Sequence, residues 1–380
     1  MTYLDHAATT PLRASARDAW LAAVEHEGNP SSSHAPGRRA RAIVEDARER
    51  IAAVMGAHPT EVILTSGATE ADNLAIVGLH RARAAAGRTR LVSTAIEHHA
   101  ALDPARRLAA RGEAKLTELA VDAHGIISDP AGEWLSEDVS VVSVMWANNE
   151  TGAVQPLEAV VEAATDHGVP VHSDAVQAVP YLPVRFAESG LTSMAVTAHK
   201  VGGPVGVGAL LVRRDAMLEP LFHGGNQQRV RSGTLDAPGA AAFAAALADA
   251  AAERASEADR LAGLQRDLVA WVESLPGVRL TGPRPGPGRL PGIVSVVVEG
   301  ARTESLLTVL DLSGIAVSGG SACAAGVHRT SHVLGAMGLA EGEAAGALRI
   351  SMGRTTTTED IAALRGALPD AIERARAAGA

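Results

Sequence analysis

The chain is poor in cysteine, aromatic residues and lysine, and each shortage narrows what it can do. Its 380 residues include a single cysteine, Cys323. A lone thiol excludes an internal disulfide, and no CxxC pair is present to hold a metal. Trp, Tyr and Phe number four, two and three, too few for the stacking platforms of single-strand nucleic-acid binders. The formal net charge is −9, with no long basic run, which argues against a phosphate-backbone partner. No apolar stretch approaches the roughly 18 residues of a membrane helix. The opening "MTYLDHAATTPL" lacks the basic and apolar regions of a signal peptide. The expectation is a cytoplasmic protein with neither nucleic acid nor membrane as a direct partner.

Of the 34 basic residues only Lys115 and Lys200 are lysine; the rest are arginine. Arginine serves for surface charge, but its guanidinium stays protonated. A lysine amine can lose its proton and condense with a carbonyl. Lys115, in "RGEAKLTEL", reads as incidental. Lys200 is open to a chemical role.

What is present in quantity is an alternation of short apolar runs and helical segments. Strands are expected at 61–65, 90–96, 138–147, 169–174, 191–198 and 207–214, with helices at 69–87, 101–112 and 157–168 between them. Such alternation implies right-handed crossovers and a mainly parallel α/β sheet covered by helices on both faces. The span 15–255 is expected to form this large domain. An Ala-rich helix over 237–274 leads toward a smaller α+β domain made of 1–14 and 256–380, with a strand at 293–298, a helix at 303–313, a short strand at 315–319 and a last helix from about 358.

Functional groups in open α/β sheets collect beyond the carboxyl ends of the strands. After the expected strands come "SGATE", "EHHA", "NNETG", Asp174 within "HSDAVQ", and His199–Lys200. "TSGATE" (65–70) is a strand, a glycine turn and a helix start, suited to a phosphate, although an ordinary capped turn reads the same way. "GGPVGVG" (202–208) precedes a strand rather than a helix and is no dinucleotide fingerprint. Asp174 ends a strand among apolar neighbours, so it needs a cationic partner. A protonated pyridine nitrogen or an arginine would serve. A phosphate-ready turn, a strand-end Asp and one retained Lys together point to pyridoxal phosphate.

In chain order, "YLDHAATTP" (3–11), "GNPSSSHAPGR" (28–38), "TSGATEADNLAI" (65–76), "EHHA" (97–100), "NNETG" (148–152), "HSDAVQ" (172–177), "AHK" (198–200), "RSGT" (231–234), "SGGSAC" (318–323) and "LRISMGR" (348–354) resemble the cysteine desulfurases. These are fold-type I pyridoxal-phosphate enzymes of the class V aminotransferase family, and the resemblance is to the branch with a "GSAC" loop. It implies a pyridoxal 5'-phosphate cofactor bound through Ala68, Thr69, Thr197 and His199 at the phosphate. His98 would stack on the ring and shuttle protons, with His99 a bystander. Asn149 would face the ring, Asp174 would pair with its nitrogen and Gln177 with its phenolic oxygen, and Lys200 would hold the cofactor covalently. It implies a homodimer in which Thr234 reaches the other subunit's phosphate, and Arg349, helped by Asn29, as the anchor of the substrate carboxylate. L-cysteine would become L-alanine, with the sulfur carried as a persulfide on Cys323 to an acceptor protein. That sulfur would serve iron–sulfur cluster assembly or another thio-cofactor or nucleic-acid sulfuration pathway.

Three segments depart from the family pattern: "HGGNQQR" (223–229), shorter than the usual stretch before Thr234; "TAHK" in place of "SGHK"; and "SACAAG", which lacks loop hydroxyls. The rival readings are a selenocysteine lyase or related aminotransferase, and a redox or zinc module built on the C-x4-H-x3-H spacing of Cys323, His328 and His332.

Overall fold

The computed structural model describes residues 1–225, 227–319 and 330–379. The strands are β1 (Thr2–Tyr3), β2 (Val62–Thr65), β3 (Arg90–Thr94), β4 (Lys115–Leu119), β5 (Val139–Ser143), β6 (Val171–Asp174), β7 (Ser193–Thr197), β8 (Gly208–Val212), β9 (Val278–Leu280), β10 (Ile293–Val298), β11 (Ile315–Ala316) and β12 (Ala347–Ser351). The α-helices are α1 (Ala14–Val24), α2 (Ala35–Met55), α3 (Ala68–Ala84), α4 (His99–Ala110), α5 (Leu157–Asp166), α6 (Ala237–Val272), α7 (Thr303–Leu312), α8 (His332–Ala336), α9 (Glu341–Ala344) and α10 (Thr358–Gly379).

Among the described residues the main sheet has the order β2-β8-β7-β6-β5-β3-β4. Its strands carry apolar side chains on both faces because each face is covered. Val62, Leu64, Val92, Val142, Met194, Val196, Ala209 and Leu211 pack toward α2 and α5. Their alternate neighbours Ile63, Leu91, Val141, Ala195, Leu210 and Val212 pack toward α3 and α4. The period-2 side-chain alternation of a strand thus feeds two separate cores from one sheet. A second, antiparallel sheet has the order β12-β10-β9, and β1 pairs in parallel with β11. The helix α6, 36 residues long and Ala-rich, passes unbroken from one region to the other.

The sheet is mainly parallel, as expected, with one reversed strand, and one expected strand is shorter. The strand β8 is antiparallel to both β7 and β2. Only residues 198–207 separate it from β7, and they hold a single 3-10 turn and glycine-rich turns. A parallel return needs a crossover of a dozen or more residues, so the chain doubles back instead. The apolar run 138–147 is sheet only over Val139–Ser143. Beyond it the backbone still bonds to β6 and its end, Val144 N–H to His172 O and Trp146 N–H to Asp174 O, while Met145 and Ala147 turn to line a cavity.

Candidate active site

All main-sheet strands except β8 run the same way, so Thr65, Thr94, Ser143, Asp174 and Thr197 end at one edge. A cavity of about 540 Å³ opens there, between the strand ends, the start of α3, residues 7–8 and β12. Its wall includes Ala68, Thr69, His98, Asn149, Asp174, Gln177, Thr197, His199, Lys200 and Arg349, residues scattered over 280 positions of sequence that the topology brings together.

At one end, Gly67 is the N-cap of the 17-residue α3, with φ +150°. No side chain caps the helix, and the first-turn amides of Ala68 and Thr69 border the cavity. Free amides at the positive end of a helix dipole favour an anion. Gly208 presses against this turn: a Cβ there would meet Val196 O at 2.7 Å and Gly67 C and Cα at 2.8 Å. The approach of β8 to the turn therefore requires glycine.

Asp174 closes β6, is 7% exposed and accepts one hydrogen bond, from Val176 N–H at 2.9 Å. Burial raises its pKa, with His98 and Lys200 opposing that rise. A carboxyl so placed retains its charge best beside a cation. Lys200 follows β7, the next strand in the sheet; its Nζ donates to Ala7 O at 2.5 Å and Ala8 O at 2.8 Å. Burial, and then the nearby Arg349, lower the amine to about 8, so an appreciable share is neutral and nucleophilic near pH 7.5. His199, held by Thr9 Oγ1 at 3.2 Å, is lowered to about 4 by burial and by Lys200.

His98 is the N-cap of α4: its Nδ1 accepts from Ala100 N–H at 3.1 Å. Burial lowers its pKa, so the ring is neutral near pH 7. Arg349, in the middle of β12, is 4% exposed. Its Nη1 donates to Asn149 O at 2.9 Å and its Nη2 to Asp5 Oδ1 at 2.8 Å, while Nε has no partner among the described residues. Gln177 Nε2 donates to Ala7 O at 2.9 Å, and Thr197 Oγ1 to Val207 O at 3.1 Å.

Two site residues from the sequence, Asn29 and Thr234, are not in the cavity wall. Asn29 is exposed, and its side chain accepts from Ser31 N–H. Thr234 is exposed in the segment before α6. Cys323 lies outside the described residues, as does His328 of the zinc spacing; among the described residues no cluster of three His, Cys, Asp or Glu is placed to hold a metal.

Several wall groups went unassigned in the sequence. Residues 5–8 supply Asp5 to Arg349 and the Ala7 and Ala8 carbonyls to Lys200. Asp72 is fully buried, with Oδ1 3.0 Å from His172 Nε2 and Oδ2 unpartnered. Burial pushes Asp72 up and His172 down to about 3, driving both to their neutral forms. Glu150 and His332 also border the cavity. Helical spacing could have found Asp72, one turn after Ala68. Nothing in the spacing foretold residues 5–8, whose contacts with Gln177, Lys200 and Arg349 span 170 positions or more.

These groups fit pyridoxal phosphate. Amides at a helix start suit the phosphate, the partner-seeking Asp174 suits a ring nitrogen, and Lys200 has an amine of lowered pKa in the same cavity.

The comparisons agree. The aminotransferase class-V family model matches residues 2–364. An IscS-like cysteine desulfurase of Mycobacterium tuberculosis is 46% identical over 385 residues, covering 100% of this chain and 98% of that protein. A solved NifS-like protein superposes with a TM-score of 0.89 at 32% identity, covering 98% of each chain. The solved structure of SspA in complex with cysteine gives 0.81 at 30% identity, over 94% of this chain and 100% of that one.

Proposed function

Since the chain belongs to the aminotransferase class-V family and is a pyridoxal-phosphate-dependent cysteine desulfurase, we propose the following roles for its own residues and the following fate for the sulfur. When bound, pyridoxal phosphate supplies the electron sink that makes bonds near the substrate's Cα labile. Ala68 and Thr69 would hold its phosphate, with Thr197 and His199 nearby. Asp174 would pair with the ring nitrogen, Gln177 with the phenolic oxygen, and Asn149 would face the ring. Lys200 would hold the cofactor covalently and, as a free amine lowered to about 8, is suited to take a proton from the substrate's Cα. His98, with its Nδ1 engaged by Ala100 N–H, moves protons at the substrate thiol through Nε2, gaining one before it gives one up. Arg349 binds the substrate carboxylate, a pairing that suits its guanidinium fork.

Cys323 takes the sulfur as a persulfide and passes it to an acceptor protein, with iron–sulfur cluster assembly the pathway favoured by the 46% likeness to an IscS-like enzyme. The working form is a cytoplasmic homodimer. Leu12, Trp20, Leu21 and Val24 are 40–49% exposed around α1, an apolar surface that a second copy would cover. The exposed Thr234 would then face the partner's site. Residues 15–255 form the cofactor-binding domain, and 1–14 with 256–380 the smaller one.

The observation that carries these assignments is the convergence of Lys200, Asp174, His98 and an uncapped helix start on one cavity. In the test, Lys200→Ala loses the visible absorbance of bound cofactor, and Cys323→Ser keeps that absorbance but forms no persulfide and releases no sulfide from cysteine. Retained colour in the first variant or retained turnover in the second sinks the corresponding role.

A further inference from the structure

The start of α3 is the end of the cavity suited to an anion, yet its first turn carries a carboxylate. Glu70, the third residue of α3, borders the cavity with a side chain 9% exposed. Its Oε2 accepts from Ser66 N–H at 2.7 Å, reaching back over the turn that precedes the helix. Burial opposes its ionisation, but the bonds from Arg231 and Ser66 outweigh burial and hold the carboxyl below the usual range, so Glu70 is charged at neutral pH. A carboxylate there answers the helix dipole itself. It also sits in the same turn as the Ala68 and Thr69 amides, where it would repel a phosphate dianion.

Arg231 removes that conflict. Its Nε donates to Glu70 Oε1 at 2.7 Å and its Nη2 to Glu70 Oε2 at 3.4 Å. Arg231 is not itself in the cavity wall, so it meets the site through Glu70. Its place is fixed by Gln228, three residues earlier. The buried Gln228 side chain accepts from Leu64 N–H at 2.8 Å and donates to Leu64 O at 2.8 Å, as a neighbouring strand would at the edge of β2. Residues 228–231 are thus docked on the edge strand at one end and on the cofactor turn at the other.

We propose that Arg231 is a positioning residue for the cofactor phosphate, neutralising Glu70 so that the start of α3 can hold a dianion, a role that rests on Ala68 and Thr69 holding that phosphate. Glu70 keeps Ser66 N–H and Arg231 occupied, and the Ala68 and Thr69 amides are left for the ligand. Without Arg231 the carboxylate stays in place with its charge unpaired, which is worse than having neither charge. Removing both charges restores the balance. Packing alone would give no such recovery.

The test is equilibrium binding of pyridoxal phosphate, and of pyridoxal as its phosphate-free counterpart, to full-length apoenzyme. Absorbance reads binding for wild type, Arg231→Gln, Glu70→Gln and the double variant. Arg231→Gln should bind pyridoxal phosphate about tenfold more weakly, the low end of what a charged hydrogen bond is worth, with pyridoxal unchanged. Glu70→Gln keeps an acceptor for Ser66 N–H without the charge and should bind pyridoxal phosphate at least as tightly as wild type. The double variant should return to within about threefold of wild type. No loss in Arg231→Gln, an equal loss for pyridoxal, or no recovery in the double variant overturns the role. Where Arg231→Gln yields no folded protein, Glu70→Gln decides: binding about tenfold weaker overturns the charge argument, and binding as tight as wild type or tighter supports it. Wild type binding pyridoxal as tightly as pyridoxal phosphate overturns the phosphate reading of α3 first, and this one with it.

Discussion

Gly208→Ala is the sharpest perturbation of the cofactor cradle that leaves every polar group in place. Gly208 opens β8, paired with Thr65 on one side and Thr197 on the other. Its added Cβ would lie 2.8 Å from Gly67 C and Cα and 2.7 Å from Val196 O. Carbon contacts are comfortable at about 3.5–4.0 Å, so backbone has to move by roughly an ångström. None of the obstructing atoms is the free end of a side chain. Overpacking of this kind costs about 1–3 kcal/mol. Gly67 is the turn before the Ala68 and Thr69 amides, so strain relieved there misplaces the phosphate donors. Taken wholly in binding, the same cost weakens cofactor affinity about 5- to 150-fold. Equilibrium binding of pyridoxal phosphate to apoenzyme, followed by absorbance, reads the affinity, and a calorimetric Tm reads any part taken in stability. The control is Gly366→Ala, on the exposed face of α10, where a Cβ meets nothing within 4 Å; it should stabilise by up to about 1 kcal/mol. A Gly208→Ala protein with wild-type affinity and wild-type Tm would refute the close-approach reasoning.

Two further outcomes follow from ionisable groups of the N-terminal segment. Asp5→Asn removes the carboxylate that holds Arg349 Nη2; KM for cysteine should rise about tenfold, a part of what a charged hydrogen bond is worth, with cofactor absorbance unchanged, and an unaltered KM counts against Asp5 as the positioner of Arg349. His6, nearly buried beside Thr10, is lowered to about 4, first by its burial and then by Arg354. Its folded pKa is below its unfolded one, so the unfolded chain binds more protons between pH 6.5 and 4, and the stability it contributes is complete above 6.5 and lost as pH falls toward 4. Urea midpoints of wild type should drop from pH 7 to pH 5, and His6→Gln should flatten that slope by at most about 1.4 kcal/mol per pH unit; equal slopes would refute it.

Local chemistry made much of the site legible. Asp174 announces itself as a carboxylate ending an apolar strand, Lys200 as a lysine kept in a chain that otherwise uses arginine, and "TSGATE" as a glycine turn before a helix. Each depends on neighbours within a few residues, which a sequence displays directly. The same locality explains the strand at 207–214, whose existence was readable but whose direction was not. Apolar alternation is identical in parallel and antiparallel strands, and only the short connection from β7 forces the reversal. The overlong strand at 138–147 has a similar cause: Met145 and Ala147 are as apolar as sheet residues but face a cavity.

By itself, then, the sequence determined the α/β class and the family resemblance; residue type and short-range pattern singled out Lys200 and Asp174, and the resemblance added His98 and Arg349 as candidates. Only the tertiary structure decided that residues 5–8 seat Lys200 and Arg349, that Asp72 lies against His172, and that His98 and His332 border the same cavity. Those facts depend on which backbone group comes within hydrogen-bond reach of a side chain from a distant part of the chain. Such encounters are set by how the sheet, α3 and β12 pack, and no local pattern encodes them.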